Sequence, residues 1–356
     1  MDLRTRQLAK LLVDYSVRVK KGETVILSGG IESQELLVAL YKEIILKGAY
    51  PYLKVALPEI TSFFYKHAQK HQIEKFPEIF DFAVKKAQKY IGISTQLNTR
   101  ELANCNPKKI TARRKITRPI NDYVVNGKPD IHRVTTGFPC QALAQEAEMD
   151  SVEYENFVYA ACLQDWEKLS KRINRILAKF KKAKKVHLIG NGIDLKFEIH
   201  GEKAVADNGE ENMPGGEIFM APVRESLNGW VKFDYPAVEA GKEVTDIELK
   251  FKDGKVIESK ATKNQDFLKE MLATDENSSY VGEFGIGMNP KINKFTKNLL
   301  FDEKIGGTIH LALGMAYKEN GGGNDSAIHW DIVKDMSKAK IILDGKVVQE
   351  NGAWKI

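Results

Sequence analysis

A chain of 356 residues is longer than one hydrophobic core usually organises, so two domains are the expectation. With 43% hydrophobic and 29% charged residues and no low-complexity tract or repeat, the composition is that of a folded globular protein and excludes a disordered chain. The net charge of +6 comes from lysine spread along the chain; its basic clusters at 106–114 and 180–185 carry no interleaved aromatic residues on which bases would stack, so nucleic acid is not an expected partner.

The opening segment MDLRTRQLAKLLVDYSVRVKKGE mixes charges with apolar residues at helical spacing, unlike the uninterrupted apolar stretch of a signal peptide. No window approaches the roughly 18 consecutive apolar residues of a membrane span, so no membrane contact and a cytoplasmic location are expected. Leu8, Leu11, Leu12 and Tyr15 predict one face of a first helix, followed by a strand at 24–27, a helix at 33–47 that stops at Gly48, and a strand at 52–55. This alternation predicts a parallel sheet covered by helices. The Ser28-Gly29-Gly30 turn lacks the spacing of either glycine-rich phosphate loop and reads as a plain strand-to-helix turn. A strand at 89–94, a helix at 149–161 and a long amphipathic helix at 166–185 follow. The widely spaced Cys105, Cys140 and Cys162 fit a reducing compartment and read as structural.

Past the lysine-rich end of that helix the pattern changes to short β-prone runs at 185–189, 196–199, 217–220, 229–233, 246–251 and 255–258, separated by Gly, Pro and Asn. Asp253-Gly254 and Asp344-Gly345 predict hairpin turns, the second in a final hairpin ending at Trp354. The expected architecture is therefore α/β: an N-terminal α/β domain with a parallel sheet over 1–182, and a sheet-rich α+β catalytic domain over 183–356.

Acids, histidines and tight turns concentrate between Asn212 and Asp331. Glu217 enters a hydrophobic strand after Pro-Gly-Gly, where burying an unpaired charge costs several kcal/mol, so it calls for a cation. Glu283 repeats the pattern. Glu303 does so less strongly, because Lys304 beside it offers a surface ion pair instead. His310 sits in the apolar run Ile309-His310-Leu311-Ala312-Leu313, where a buried histidine bonded to a carbonyl is the plain alternative. His329 and Asp331, two apart on a strand, project from one face. Four carboxylates and two histidines without cysteine suit Zn, Co or Mn. Six ligands exceed the need of one tetrahedral zinc and match two ions about 3.5–4 Å apart, as in aminopeptidases and phosphatases. The glycine-rich loop at 319–326 is either a mobile lid, which its position between two ligands favours, or a permissive turn between strands, and Asp194 is either an orienting acid or an exposed strand residue.

The sequence also resembles the M29 family of metallo-aminopeptidases, the aminopeptidase T or thermophilic aminopeptidase group. The resemblance is carried, in order, by 189–195 (IGNGIDL), 212–222 (NMPGGEIFMAP), Gly282-Glu283, 300–303 (LFDE), 310–317 (HLALGMAY) and His329 to Asp331, together with the wording of the N-terminal helix. It implies a two-metal site with Glu217, Glu283, Glu303, His310, His329 and Asp331 at the ligand positions, Tyr317 close to the metals, and a homodimer. The stretch from Tyr317 to His329 is shorter than the family pattern, and the segment before His310 carries extra glycines.

The activity expected is removal of N-terminal residues from short peptides with a free amino terminus, with Glu283 either carrying the proton or bridging the metals, and Tyr317 either donating to the developing oxyanion or standing as a core tyrosine. The alternatives are a two-metal phosphoesterase, disfavoured because only Arg224 lies near the ligands, and a non-catalytic peptide- or nucleotide-binding α/β protein whose acids are structural.

Overall fold

The computed structural model describes residues 2–127, 129–239, 241–317 and 320–355. The chain forms two compact units, Met1–Leu163 with Gly209–Pro214, and Gln164–Asn208 with Gly215–Ile356. Position 182/183, expected as the boundary, lies inside the second unit.

The first unit is built on a parallel sheet. Its strands β1 (Thr24–Gly30), β2 (Tyr50–Ala56), β3 (Lys89–Ser94) and β4 (His132–Gly137) lie in the order β2-β1-β3-β4, and the short strand Asn212–Met213 follows β4. Every pairing is parallel, as the alternation of elements predicts. Helix α1 (Leu3–Leu11) begins where the Asp2 carboxylate accepts from the Arg4 amide at 2.7 Å. Helix α2 (Gln34–Leu46) buries Leu36, Leu37, Leu40 and Ile44 and packs against α1, β1 and β2. It ends at Gly48, whose φ of +72° is open to glycine at little cost. Beneath the sheet, Ile26, Val84, Ala87, Ile120 and Ile131 form a core cluster with Phe76, Phe80 and Tyr123 against it.

The 20-residue helix Pro107–Asn126 stands where the sequence shows only a basic cluster. Asn106 caps it by accepting from the Lys108 amide at 2.9 Å, Pro107 opens it, and Pro119 lies within it. Ile120 is its one fully buried residue; Ile110, Ile116, Tyr123 and Val124 continue the stripe at helical spacing but are only partly buried, among basic residues that dominate the segment.

The second unit packs two antiparallel sheets. The eight-stranded sheet runs Lys255–Lys260, Glu248–Lys252, Asn228–Lys232, Ile193–Glu198, Lys185–Gly190, Ala339–Leu343, Lys346–Glu350, Ala353–Trp354. Both predicted Asp-Gly turns close hairpins in it, with positive φ at Asp253 and Gly254 and at Asp344 and Gly345, the signature of a mirror-image tight turn. The five-stranded sheet contains β5 (Val205–Asp207), β6 (Glu217–Met220), β7 (Val281–Gly287), β8 (Thr308–Gly314) and β9 (His329–Asp335), in the order β9-β8-β7-β6-β5. One of its faces is apolar. Phe284 on β7 meets Phe197 of the larger sheet at 5.1 Å between ring centroids and Phe180 of helix α3 (Trp166–Phe180) at 6.4 Å. Helix α3 thereby belongs to the core of the second unit.

Candidate metal centre

The other face of the five-stranded sheet carries the acids. Because side chains alternate along a strand, Glu217, Glu283, Gly285, Gly287, His310, Ala312, His329 and Asp331 share that face, while Ile218, Phe284, Ile286, Ile309, Leu311 and Ile332 go to the core. The register places a small residue opposite each large polar one: Gly287 faces Glu217, Gly285 faces His310, Ala312 faces both Glu283 and Asp331, and Gly314 faces His329. This floor of glycine and alanine leaves space for the polar side chains to lean together. A Cβ at Gly285 would stand 1.9 Å from His310 Nε2, so no larger residue fits there with His310 in place.

His310 is fully buried at the centre. Its Nε2 lies 3.4 Å from Glu283 Oε1, 3.8 Å from Glu217 Oε2 and 3.9 Å from Asp331 Oδ1. Glu303 follows helix α4 (Leu299–Asp302), which is held by the Asp302 carboxylate accepting from the amide and hydroxyl of Thr296 at 2.7 and 2.8 Å. The ligand atoms of Glu217, Glu303 and His310 all lie within 4.8 Å of one another, and those of Glu283, His310 and Asp331 do the same. His329 joins through Asp331, with Nε2 at 3.4 Å from Oδ2, while its Nδ1 lies 2.9 Å from the Met315 carbonyl and donates to it when protonated. Tyr317 stands at the rim, 37% exposed, its ring 5.3 Å from that of His329.

Lys304 corrects one expectation. It is not a surface partner of Glu303 but is fully buried, with Nζ bonded to Glu303 Oε1 and 3.6 Å from Glu217 Oε1. Nothing in the local sequence distinguished it from the many exposed lysines. Asp194 is exposed in the eight-stranded sheet, bonded to His187 at 2.9 Å. Arg224 is engaged by Asn324 and Asn277 and lies 4.0 Å over the Tyr280 ring. In the glycine-rich loop Glu319 lies outside the described residues. The part from Asn320 on is anchored: Asn324 is buried and donates to the carbonyls of Gly314 and Asn277 at 2.6 and 2.9 Å, and Ser326 bonds Asp275. These bonds oppose the mobility that three consecutive glycines suggest.

The electrostatics are those of an anionic cavity. Burial, then the Glu303 charge, pushes Glu217 well above the ordinary carboxylate range, and Lys304 and His310 offset this only in part. Burial also works against the charged forms of His310 and His329. For His310 the hydrogen bond to Glu283 and the charges of Asp331 and Glu217 outweigh it and raise the group to about 9; for His329 the Asp331 carboxylate raises it to about 10. Burial opposes ionisation of Asp331, yet His329 and His310 hold it below its usual value. Even so, Glu217 Oε2, Glu283 Oε2 and both Asp331 oxygens are buried without a hydrogen-bond partner. Unpartnered buried carboxylate oxygens converging on one space are what a cation would satisfy, so the residues present fit divalent metal.

A model of the thermophilic metalloprotease family, M29, matches residues 1–354. Aminopeptidase AmpS of Bacillus subtilis is 25% identical over 402 aligned residues, spanning 97% of each chain. Aminopeptidase T of Thermus aquaticus is 33% identical over 168 residues, 41% of this chain and 40% of its own. Among solved structures, wild-type AmpT from Thermus thermophilus superposes with a TM-score of 0.85 at 22% identity, covering 99% of both chains. A 2,5-dihydroxypyridine dioxygenase from Pseudomonas putida reaches 0.67 at 13% identity over 98% of this chain and 96% of its own. The fold therefore accompanies more than one chemistry, and the site residues must discriminate between them.

Proposed function

The chain belongs to the thermophilic metalloprotease family M29 and is a metal-dependent aminopeptidase; we propose that Glu217, Glu283, Glu303, His310, His329 and Asp331 hold two divalent ions, Zn, Co or Mn. The observation that carries this is the pair of ligand groups sharing His310, with carboxylate oxygens buried and unpartnered over a glycine and alanine floor. Divalent cations held there would lower the pKa of a water and polarise the scissile carbonyl.

The side chains supply the rest. A His329 Nδ1–H donated to the Met315 carbonyl fixes the tautomer and turns Nε2 toward the acids, the arrangement by which a backbone carbonyl orients a metal-binding histidine. Lys304 neutralises part of the charge that Glu217 and Glu303 bring together. Glu283, with one oxygen unpartnered, takes a proton from the attacking water and returns it to the leaving amine. Tyr317 donates a hydrogen bond to the developing oxyanion. The acid-rich face selects a free amino terminus on a short peptide, with no nucleic acid or membrane involved. No helix among the described residues is long and apolar enough to cross a membrane, and the working form is a cytoplasmic homodimer.

Protein stripped with chelator and resupplied with Zn, Mn or Co should release p-nitroaniline from aminoacyl-p-nitroanilides but not from their N-acetylated forms. Glu217→Gln and His310→Ala should lose more than the 10- to 100-fold that follows loss of an orienting neighbour, together with bound metal. Activity that survives chelation, or equal cleavage of acetylated substrates, would overturn the reading. Hydrolysis of p-nitrophenyl phosphate in place of the peptides would favour the phosphoesterase.

A further inference from the structure

We propose that Lys304 is a built-in cation that makes the two halves of the metal centre unequal: Glu283, His310, His329 and Asp331 take one ion first and tightly, whereas Glu217 and Glu303 take a second only as the Lys304 ammonium gives way to it. The inference deepens the metal-centre reading above and rests on it.

The donors divide unevenly. His310 Nε2 is within reach of carboxylates from both ligand groups, but a single imidazole nitrogen offers one lone pair and holds one ion. The nearest of those carboxylate oxygens is Glu283 Oε1, at 3.4 Å. Assigned to that side, His310 joins Glu283, Asp331 and His329. Two imidazoles and two carboxylates give four donors and two negative charges, a complete set for one tetrahedral divalent ion. What remains on the other side is Glu217 and Glu303, two carboxylates without an imidazole.

The unpartnered oxygens follow the same division. Glu283 Oε2 and both Asp331 oxygens, all on the first side, are buried with no hydrogen-bond partner. On the second side Lys304 Nζ bonds Glu303 Oε1 and stands 3.6 Å from Glu217 Oε1, which leaves Glu217 Oε2 as the buried orphan there. One of the two negative charges that an ion would use on this side is therefore already met. An ion entering between Glu217 and Glu303 also comes up against a fully buried positive charge, where the low dielectric strengthens the repulsion.

Only the side chain of Lys304 has to move. Its amide donates to the Phe301 carbonyl at 3.0 Å and its carbonyl accepts from the Asn289 amide at 3.1 Å, which fixes the backbone at the end of α4. Asp207 of β5 pairs with Glu217 of β6 and so shares its face, and the Asp207 charge acts on Lys304 as well. It is a further carboxylate toward which a displaced ammonium can turn. A lysine serving only as a fixed counter-ion for the acids would instead keep its bond to Glu303 with both ions in place.

Equilibrium dialysis of the chelated full chain against Zn, with bound metal counted by mass spectrometry, separates the two roles. Wild type should take up one Zn and then a second about 5- to 150-fold more weakly, the usual range of coupling between sites. Lys304→Met should bring the second affinity toward the first, and Lys304→Arg, which retains the charge, should keep the gap. If Lys304→Met proves too unstable to purify, anomalous scattering from wild-type crystals reads the same order. At limiting Zn one peak should lie beside His329 and Asp331 with Nζ on Glu303; at excess Zn a second should lie beside Glu217 with Nζ withdrawn. Two ions of equal affinity with Nζ still on Glu303, or a first peak beside Glu217, overturn the role of Lys304 and leave the two-ion centre standing. One Zn in wild type at every concentration and two in Lys304→Met uphold Lys304 and overturn the count of two. No bound Zn overturns the metal centre and this inference with it.

Discussion

The five-stranded sheet of the second unit and the edge strand of the first depart from the usual inside-outside rule in opposite directions. The first hides carboxylates, an imidazole and a lysine; β2 leaves tyrosines, leucine and valine uncovered. Each departure costs free energy in the isolated chain, and each points to what would offset it: a cation for buried acids, a second surface for exposed apolar residues. A substitution in the metal sheet should therefore cost stability or metal, whereas one at the exposed side chains of β2 should leave both nearly unchanged.

The largest expected effect on stability is at Lys304. Replacing it with methionine removes the buried cation between Glu217 and Glu303 and should destabilise metal-free protein by about 3–5 kcal/mol, the cost of breaking a buried pair. The loss should shrink once metal is bound. Thermal unfolding with and without chelator measures the difference, and equal losses in both states would detach Lys304 from the metal centre.

Gly285→Ala comes next. Its Cβ would overlap His310, and relief by shifting the imidazole should cost about 1–3 kcal/mol, read as a lowered Tm. Metal content should fall with it. Retention of full metal occupancy would mean that His310 moves without consequence and is not a ligand.

The smallest effect expected is on pH dependence in the metal-free state. His310 and His329 are raised from 6.5 to about 9 and about 10. A group raised on folding contributes stability that is fully present below its unfolded pKa and lost as pH rises through the folded value. Chelated protein should therefore lose Tm between about pH 6.5 and 10. Metal-loaded protein, whose imidazoles must already be deprotonated to bind, should lose less. Parallel profiles for the two forms would argue against histidine ligation.

The sequence by itself determined the local chemistry. The alternation of helix and strand in the first fifty-six residues, the Asp-Gly hairpins, and the isolated acids and histidines in apolar runs are all statements about neighbours in the chain, and the fold contains them. The helix Pro107–Asn126 escaped because its run of basic residues stands out over a stripe, Ile110, Ile116, Ile120, Tyr123 and Val124, that is mostly only partly buried. Burial of Lys304, the small residue opposite each polar side chain, the anchoring of Asn324 beneath Gly314 and the assignment of α3 to the second unit were decided only in three dimensions. The physical reason is that register and burial depend on pairings between segments far apart in sequence. An acid in a strand announces that it needs a partner, and only the folded sheet brings that partner within reach.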